Sequence, residues 1–382
     1  MLFKSLALSA LASAALAQEA QPQPDLTTLL SNQTELSNLT TYLGLFPDFV
    51  GQLGSLQNIT LLAPNNEAFA TFLNSSAGAA LAQNDSALIQ AVFSYHVLNG
   101  SYSNFSEVAF VPTLLQPPQY ANVTGGQVVQ AVPGDNSTAF FSGLLANASS
   151  TGSPLNFTGG VVHIIDSVLI IPQNVSETAI QANLTGVAGA LMSADLVETV
   201  DGLTDVTVFA PNNAAFEAIG SALPNLTTED LTSILTYHVV EGTVGYSTLL
   251  GNTSLQTVQG ANITITVIDD EVFVNSARVV VADVLVANGV VHVIDNVLNP
   301  ENATATANPS EETGSPAFSG ASSASDIPFT SGVPTPTASA ATESAPGATG
   351  ASSSSADAAM PRMTGAMGAA ALFGGAALVL NM

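Results

Sequence analysis

The segment that decides the fold is written twice in this chain. GVVHIIDSVL occupies Gly160–Leu169, and GVVHVIDNVL, identical at eight of ten positions, occupies Gly289–Leu298. Runs of valine and isoleucine favour β-strands, so each copy predicts a strand near the end of a domain. The duplication indicates two homologous units, and an internal repeat sets the architecture before single residues are interpreted.

Two further boxes precede that strand in the same order in both copies. TLLAPNNEAF starts at Thr60 and TVFAPNNAAF at Thr207, whereas YHVLNG starts at Tyr95 and YHVVEG at Tyr237. The offsets between the copies are 147, 142 and 129 residues, so the first copy carries extra length. Most of it falls in 110–154, where Pro, Gly, Asn and Ser indicate surface loops.

The Ala-Pro-Asn box predicts a short apolar strand followed by a helix. Pro211 ends the strand, and the side-chain oxygen of Asn212 or Asn213 is suited to cap the helix. The same interpretation assigns these structural roles in the first copy to Pro64, Asn65 and Asn66.

Helical and strand periods divide each unit into two parts. Residues 227–239 open with TTED and place apolar residues at helical spacing up to the Tyr-His pair, and the matching helix begins at Asp85. Residues 262–267 alternate as a half-buried strand with a turn at 269–271, and Asn288-Gly289 suits a tight primed hairpin turn. Helices followed by strands imply an α+β domain, with a helical layer beside a mostly antiparallel sheet or sandwich.

These three boxes resemble the fasciclin domain over roughly residues 25–299. The resemblance implies two tandem domains, 24–171 and 173–299, each a wedge-shaped β-sandwich flanked by helices. It also implies a cell-surface role in adhesion or matrix organisation, often on a lipid anchor.

In animal members of that family, the Tyr-His region and an Asp-Ile pair have been linked to receptor binding. In this chain a valine follows the aspartate in place of the isoleucine. A different interpretation makes the tyrosines core aromatics at helix ends, with hydroxyls that reach the surface. The candidate partner-binding residues that the resemblance implies are Tyr95, His96, Tyr237, His238 and Asp283.

All four histidines lie in the repeated boxes, which leaves three roles open. They are hydrogen-bonded structural residues, the interpretation we favour, or partner contacts, or catalytic groups. A Ser-His-Asp triad is disfavoured because each strand histidine lies three residues before its aspartate, which places the two side chains on opposite faces of a strand. These residues of the terminal strand box are His163, Asp166, His292 and Asp295.

Motifs for catalysis and metal binding are missing from the sequence. It contains no nucleophile-elbow, zinc-protease, phosphate-loop or calcium-loop pattern. The acidic run Asp269–Glu271 is best interpreted as a solvated turn, because three adjacent carboxylates point in divergent directions. We therefore expect no catalytic residue, no metal site and no cofactor.

Composition excludes several classes of function. The 382 residues include no cysteine, which excludes disulfides, thiolate zinc sites and thiol nucleophiles. Three cations face 29 carboxylates, and the formal net charge of −26 repels phosphate backbones and excludes nucleic acid as a partner. With 47% hydrophobic and only 8% charged residues, stability must come from apolar burial.

Both ends of the chain have the composition of targeting signals. Residues 1–17 combine Lys4 with a run of leucine and alanine and predict a secretory signal peptide. Residues 356–382 predict the propeptide of a glycosylphosphatidylinositol anchor, which we favour over a spanning helix at Met363–Met382 because no basic tail follows. The expected attachment site consists of the small residues Ser353, Ser354 and Ser355.

Between the second domain and the anchor signal, the segment 300–355 consists mainly of Ser, Thr, Ala, Pro and Gly. It has almost no large apolar residue and cannot bury a core, so we expect a disordered, extended and O-glycosylated stalk. At about 3.1 Å per residue, about 55 residues would span roughly 170 Å.

Seventeen Asn-x-Ser/Thr sequons predict heavy N-glycosylation, which would supply the polarity that few charges provide. In the strand at 262–267, Asn262 and Thr264 should face solvent while Ile263 and Ile265 point inward. The acceptors are Asn32, Asn38, Asn58, Asn74, Asn84, Asn99, Asn104, Asn122, Asn136, Asn147, Asn156, Asn174, Asn183, Asn225, Asn252, Asn262 and Asn302.

Together these features predict a non-enzymatic cell-surface glycoprotein for cell adhesion or cell-wall and matrix organisation through weak multivalent contacts. The expected partners are a cell-surface or matrix protein or a wall polysaccharide, and the outer leaflet of the plasma membrane through the lipid anchor. Two alternatives stay open. One is a secreted or wall-bound hydrolase of esters or glycans, and the other is a small-ligand carrier with a pocket between helices and sheet.

Overall fold

The structure is a computed structural model that describes residues 23–75, 78, 86–303, 306–309, 317–318 and 320–335. Within these residues the chain folds into two domains with the same order of helices and strands. Four predictions fall outside the described residues: the signal peptide, the helix start at Asp85, the acceptor Asn84, and the anchor propeptide with Ser353, Ser354 and Ser355.

Domain 1 begins with helices and continues into a sheet. Short 3-10 helices lie at Thr34–Leu36 and Gly143–Leu145. The main elements are α1 (Leu26–Ser31), α2 (Ser37–Leu43), α3 (Pro47–Ser55), β1 (Ile59–Pro64), α4 (Asn66–Leu73), α5 (Ser86–Tyr95), β2 (Val97–Asn99), β3 (Ala109–Pro112), β4 (Val128–Pro133), β5 (Thr138–Phe141), β6 (Asn147–Phe157) and β7 (Gly160–Ile165).

Domain 2 repeats this plan. Its short 3-10 helices lie at Leu223–Asn225 and Pro300–Asn302. The main elements are α6 (Val175–Gln181), α7 (Thr185–Ser193), α8 (Val197–Gly202), β8 (Val206–Pro211), α9 (Asn213–Ala218), α10 (Thr228–Tyr237), β9 (Val239–Val240), β10 (Thr253–Gln256), β11 (Asn262–Ile268), β12 (Glu271–Val274), β13 (Ala277–Val286) and β14 (Gly289–Ile294). Among the described residues, no helix is long and apolar enough to cross a membrane.

Each domain has one seven-stranded sheet with the same strand order. The order is β2-β1-β7-β6-β5-β4-β3 in domain 1 and β9-β8-β14-β13-β12-β11-β10 in domain 2. The Ala-Pro-Asn strand and the terminal strand are parallel neighbours near the centre, and the other pairs are antiparallel. The prediction of an α+β fold with a mostly antiparallel sheet is therefore confirmed.

The two edges of each sheet meet, which makes it barrel-like. The N–H of Leu114 donates to the carbonyl of Val97 at 2.8 Å in domain 1, and the N–H of Val258 donates to that of Val239 at 2.8 Å in domain 2. Closure pairs the edge backbone groups that an open sheet would expose.

Strands β1 and β8 are mostly apolar on both faces because each face contacts a different core. Leu61 and Ala63 pack against the helices of domain 1, whereas Leu62 between them packs into the interior of the barrel. In domain 2, Val208 faces the helices and Phe209 faces the barrel interior. The alternation explains why the repeated boxes contain continuous apolar runs.

The paired asparagines of the Ala-Pro-Asn box have two different roles. Asn65 and Asn212 are helix N-caps, whose side chains accept hydrogen bonds from the N–H groups of Ala68 and Ala215 at 2.8 Å. The second asparagine does not cap the helix. Asn213 accepts a hydrogen bond from the N–H of Gly186 and donates to the carbonyl of Asn183, so it ties α9 to the start of α7.

Asn66 has the same role in the first copy. Its amide accepts from the N–H of Asn38 at 2.9 Å and donates to the carbonyl of Thr34 at 3.0 Å. The prediction of a cap is therefore confirmed for the first asparagine of each pair and wrong for the second.

Two predictions about turns need correction. Val286 pairs with Gly289, so the hairpin turn is formed by Ala287 and Asn288, and neither has a positive φ. Asn288 is instead held by its side chain, whose Nδ2 donates to the carbonyl of Val200 at 2.9 Å and thereby ties the hairpin to α8. The predicted primed turn is wrong because this tertiary contact, not turn propensity, sets the backbone.

The acidic turn is confirmed in part. Asp269 and Asp270 occupy the turn with φ of 51° and 65°. Glu271 begins β12, and its carboxylate lies 3.3 Å from Nε of Arg278, so it belongs to a partly buried ion pair. In the described part of the chain, no group of three or more His, Cys, Asp or Glu residues is placed to hold a metal ion.

The extra length of domain 1 differs from the prediction of surface loops. Residues 110–154 supply most of β3, all of β4 and β5, and most of β6. The Ser-, Gly- and Asn-rich β6 is a strand because its backbone pairs with both β5 and β7. Ladder hydrogen bonds override the low strand propensity of these residues.

Part of the predicted stalk packs on domain 2. Phe318 and Phe329 contact the helical core, and the ring of Phe329 meets that of Phe216 edge-on, with centroids 6.2 Å apart. The N–H of Ser221 donates to the carbonyl of Ser322 at 3.0 Å, and the N–H of Ala324 donates to that of Glu217 at 2.8 Å. Residues 317–318 and 320–335, here called the C-terminal strap, therefore depart from the prediction of a free extended stalk.

Candidate functional site

The candidate partner-binding residues are buried. Tyr95 and Tyr237 are 0% exposed, and His96 and His238 are 2% and 3% exposed. Each pair lies where the last domain helix, α5 or α10, meets the following strand. These side chains were expected to contact a partner. In the folded protein they are enclosed and do not form part of the surface.

The two motif histidines make the same hydrogen bonds in both domains. Nδ1 of His96 lies 2.7 Å from the carbonyl of Val92, and the N–H of Leu169 donates to its Nε2 at 2.9 Å. Nδ1 of His238 lies 2.7 Å from the carbonyl of Ile234, and its Nε2 accepts a hydrogen bond from the N–H of Leu298 at 2.9 Å. Because one partner is an acceptor and the other a donor, the neutral ring carries its proton on Nδ1.

These bonds explain the protonation state of the motif histidines. Burial lowers the pKa of both His96 and His238 to about 4, and the hydrogen bond to the helix carbonyl opposes only part of that effect. A neutral histidine that joins the end of a helix to the segment after the last strand is a structural clamp. The favoured interpretation of hydrogen-bonded structural histidines is confirmed for this pair.

The motif tyrosines differ in their hydroxyl partners. The hydroxyl of Tyr95 donates to the carbonyl of Val128 at 2.9 Å. The hydroxyl of Tyr237 donates to the carbonyl of Asn262 at 2.9 Å and accepts from Nδ2 of Asn275 at 3.0 Å. Burial raises the pKa of both phenols, so they stay neutral hydrogen-bonding groups inside the barrel.

The strand histidines are also structural. Nε2 of His163 lies 2.7 Å from the carbonyl of Tyr102, and Nε2 of His292 lies 2.8 Å from that of Gly245. Burial lowers the pKa of both rings, and the Asp283 carboxylate partly opposes this for His292. Both histidines tie a loop to the terminal strand.

The aspartates of the terminal box hold the neighbouring strand. Asp166 accepts a hydrogen bond from the N–H of Ser149 at 2.7 Å, and Asp295 accepts one from that of Arg278 at 2.7 Å. Neither aspartate has a hydrogen bond to the histidine of its box among the described contacts. The predicted separation of histidine and aspartate is consistent with this arrangement.

Asp283 lies at the boundary between the two domains and is 4% exposed. Its carboxylate accepts from the N–H of Ser247 at 2.8 Å and from the hydroxyl of the same serine. Nε2 of Gln130 in domain 1 approaches the carboxylate at 3.4 Å. Asp283 therefore fixes the loop that follows β9 and is not available to an outside partner.

That loop carries the aromatic contact between the domains. The rings of Phe110 and Tyr246 stack with centroids 4.1 Å apart and an interplanar angle of 13°. Val128 from domain 1 and Leu285 from domain 2 fill the space beside them. Burial, with the carboxylates of Asp283 and Asp205, raises the pKa of Tyr246.

Polar side chains of domain 1 complete this boundary, here called the interdomain seam. Gln127 donates from Nε2 to the carbonyl of Val286 at 2.9 Å, and Asn122 donates from Nδ2 to that of Leu203 at 2.9 Å. The seam was not predicted from the sequence, because most of its residues lie outside the repeated boxes. Gln127 and Gln130 in the otherwise apolar run QVVQAV were the available signal, since buried glutamines require partners.

The N-glycan acceptors have a different distribution from the motif residues. Sixteen of the seventeen are described, and thirteen of these are exposed. Asn262 and Thr264 face solvent while Ile263 and Ile265 are buried, as predicted. The half-buried acceptors are Asn122, Asn174 and Asn302.

The fold and these motifs define a tandem pair of scaffold domains, in which the repeated polar residues hold helices, loops and strands together. The family model for the fasciclin domain matches residues 34–172 and 182–300, and the chain belongs to this family.

Relatives include fungal and bacterial proteins. A fasciclin-like arabinogalactan protein of Arthroderma benhamiae is 37% identical over 313 residues, which is 81% of this chain and 74% of the relative. The cell surface glycolipoprotein MPT83 of Mycobacterium tuberculosis is 39% identical over 130 residues, 33% of this chain and 58% of that protein. Among solved structures, a FAS1 domain pair from the insect cell adhesion molecule fasciclin I covers 66% of this chain and 92% of its own, with 20% identity and a TM-score of 0.33.

Proposed function

We propose that this chain is a non-enzymatic cell-surface glycoprotein that contributes to cell adhesion or to cell-wall and matrix organisation. The main supporting observation is that two sets of polar residues differ in their burial. The histidines and motif tyrosines, which could in principle act in catalysis or binding, are buried in structural hydrogen bonds. In contrast, thirteen of the sixteen described glycan acceptors are exposed. The names of the relatives, an arabinogalactan protein and a cell-surface glycolipoprotein, support the same location.

The hydrolase alternative has little support in the described residues. The carboxylate of Asp283 contacts the hydroxyl of Ser247, and its backbone N–H donates to Nδ1 of His292 at 3.3 Å, an arrangement that is wrong for a catalytic triad. The serine hydroxyl donates to the carboxylate, and Nε2 of the imidazole faces a backbone carbonyl. A general base needs a free nitrogen facing the nucleophile, which this cluster does not provide.

We also propose that residues 1–17 direct secretion and that an anchor near Ser353–Ser355 holds the protein on the outer face of the plasma membrane, within reach of the wall. With the C-terminal strap packed on domain 2, residues 336–353 separate the end of the strap from the expected attachment site. About 18 residues at about 3.3 Å each span at most about 60 Å. Release from cells by phosphatidylinositol-specific phospholipase C would support the anchor, and retention of every molecule would count against it.

Weak contacts repeated across many chains on one surface can supply avidity without a tight single site. The test is binding of the secreted two-domain protein to wall polysaccharides and matrix proteins, both as a monomer and displayed on beads. We expect bead-bound protein to bind at least about 100-fold more strongly than the monomer, within the range of avidity effects. Enzymatic removal of N-glycans, with folding checked by circular dichroism, would show whether sugar or protein makes the contact. Lack of binding in every format would contradict the proposal.

One observation favours the small-ligand alternative as a second candidate. The described helices of domain 1 surround an apolar depression with a cavity volume of about 20 Å³, lined by Tyr42, Phe49, Phe69 and Phe93 among others. The apolar, aromatic lining is typical of sites for small apolar molecules, and side chains would have to move apart to admit one. Saturable binding of an apolar fluorescent dye that is lost in Phe49→Asp, with Gly51→Ala as a control on the same helix, would support this role.

A further inference from the structure

We propose that Asn122 holds the two domains together and is not a glycan acceptor. In the secreted protein with its two domains in contact, here called the docked form, this sequon is therefore unglycosylated. The sequon Asn122-Val123-Thr124 has the residues that the glycosylation machinery requires. Its position distinguishes it from the other described acceptors, since its side chain is bonded to the opposite domain.

Every polar group of the Asn122 side chain is engaged by domain 2. Nδ2, the atom that a glycan would modify, lies 2.9 Å from the carbonyl of Leu203 and 3.5 Å from that of Gly202. Oδ1 accepts from the hydroxyl of Thr204 at 3.0 Å. The backbone N–H of Asn122 donates to the carbonyl of Ala287 at 2.7 Å.

Thr124, the third residue of the sequon, is held in the same way. Its N–H donates to Oδ1 of Asp205 at 2.6 Å, and its hydroxyl donates to Oδ2 at 2.5 Å. Two hydrogen bonds to one carboxylate are stronger than bonds between neutral groups. The acceptor and the hydroxyl of the sequon are therefore both bound to the segment 202–205 that connects α8 to β8.

The other acceptors whose Nδ2 hydrogen bonds the structure describes donate within their own domain or to the strap. Asn74 donates to its own helix at Ala70, Asn38 donates to Asn66, and Asn302 donates to Ala317. A sugar on those atoms would not separate the two domains. A sugar on Nδ2 of Asn122 would occupy the place of the Leu203 carbonyl, and N-glycans are bulky surface groups.

The consequence is a linkage between modification and domain arrangement. A glycan on Asn122 and the docked pair exclude each other, because Nδ2 has two hydrogens and the carbonyls of Leu203 and Gly202 lie 2.9 and 3.5 Å from it. Loss of docking would expose the stacked rings of Phe110 and Tyr246 and the apolar side chains beside them. The docked form, with its apolar seam covered, is the form we expect to be secreted.

The experiment is glycosylation-site mapping on the full chain secreted by a fungal host, with peptide N-glycosidase in ¹⁸O water followed by mass spectrometry. We expect occupancy at Asn122 to be about tenfold lower than at the exposed sites Asn136 and Asn262. Occupancy equal to that of these sites would overturn the proposal.

A variant separates exclusion by the seam from a poor local sequon. Thr204→Ala combined with Asp205→Ala removes the side-chain bonds to the sequon and leaves the sequon intact, so occupancy at Asn122 should rise several-fold. Asp195→Ala is the matched control, because Asp195 is an exposed aspartate of domain 2 with φ of 56°, close to the 55° of Asp205. Low occupancy that the double variant leaves unchanged would show that the seam is not the cause, and would also overturn the proposal.

Discussion

Domains 1 and 2 have the same topology and the same histidine clamps, but they differ in what covers the apolar face of the helical layer. In domain 2 the C-terminal strap lies on that face and places Phe329 against Phe216. In domain 1 the equivalent phenylalanine, Phe69, lines an apolar depression that the described residues leave open.

The difference follows from two small residues. A Cβ at Gly189 would lie 1.8 Å from the carbonyl oxygen of Phe329, and a Cβ at Gly220 would lie 2.2 Å from Cβ of Ala324. Asn66 bonds to Asn38 as Asn213 bonds to Gly186, so the positions equivalent to the two glycines in domain 1 are Thr41 and Leu73. A duplicated fold therefore keeps its internal clamps while single side chains decide what each copy binds on its surface.

Acid sensitivity is the largest expected effect, and it should be shared by the two domains. The pKa of His96 and of His238 is about 4 in the folded protein, against 6.5 in the unfolded chain. As the pH falls, the unfolded chain binds protons first, so stability is present above pH 6.5 and is lost towards pH 4. Each histidine contributes about 3 kcal/mol to this loss.

The measurement is the free energy of unfolding in denaturant at pH 7, 5.5 and 4. His96→Gln and His238→Gln should each reduce the pH dependence by a similar amount. A flat profile, or one histidine responsible for the whole effect, would break the equivalence of the two clamps.

A smaller effect should distinguish the domains at the motif tyrosine. Tyr237→Phe leaves the carbonyl of Asn262 and the amide of Asn275 without their hydroxyl partner, whereas Tyr95→Phe affects only the carbonyl of Val128. We expect a loss of about 2 to 3 kcal/mol for the first and about 1 to 2 kcal/mol for the second, because unpaired buried polar groups are costly. Equal losses in thermal or denaturant unfolding would show that Asn275 finds another partner.

The smallest effect on stability tests the strap itself. Gly189→Ala adds a Cβ where Phe329 approaches, so the strap should detach with a loss of about 1 to 2 kcal/mol in burial, largely offset by the helix propensity of alanine. Limited proteolysis within 320–335 should become at least about tenfold faster, since a detached segment is open to cleavage.

Gly51→Ala is the matched control for the strap, because a Cβ at that helical position meets nothing within 4 Å. It should raise stability slightly and leave proteolysis of the strap unchanged. Equal cleavage rates in both variants would contradict the role of Gly189.

The sequence predicted much of the interior and little of the surface. The helix predicted to open with TTED begins after Thr227, where Asp230 completes a capping box, and it ends at the predicted Tyr-His pair with Tyr237. The strand from Asn262 has the predicted alternation of exposed and buried residues. These features depend on neighbours a few residues apart, and local periodicity contains that information.

Contacts between distant segments were not predictable in the same way. Asn122 has the form of a glycan acceptor, and only its position beside Leu203 shows that it joins two domains. The resemblance implied a partner-binding role for Asp283, yet Ser247 and Gln130 enclose it. No spacing within either repeat encodes these partners, because they lie outside the repeated boxes.

By itself the sequence determined that the chain contains two fasciclin domains, which segments in and near the repeated boxes are helices and strands, and which of their side chains point inward. Only the tertiary structure decided that the Tyr-His pairs are enclosed, that the domains share a seam, and that the strap covers domain 2 and not domain 1. The physical reason is the separation along the chain of the residues that interact. Secondary structure and burial follow from periodic local patterns, whereas a seam or a covered face depends on whether one atom, such as a Cβ at Gly189, prevents two remote segments from meeting.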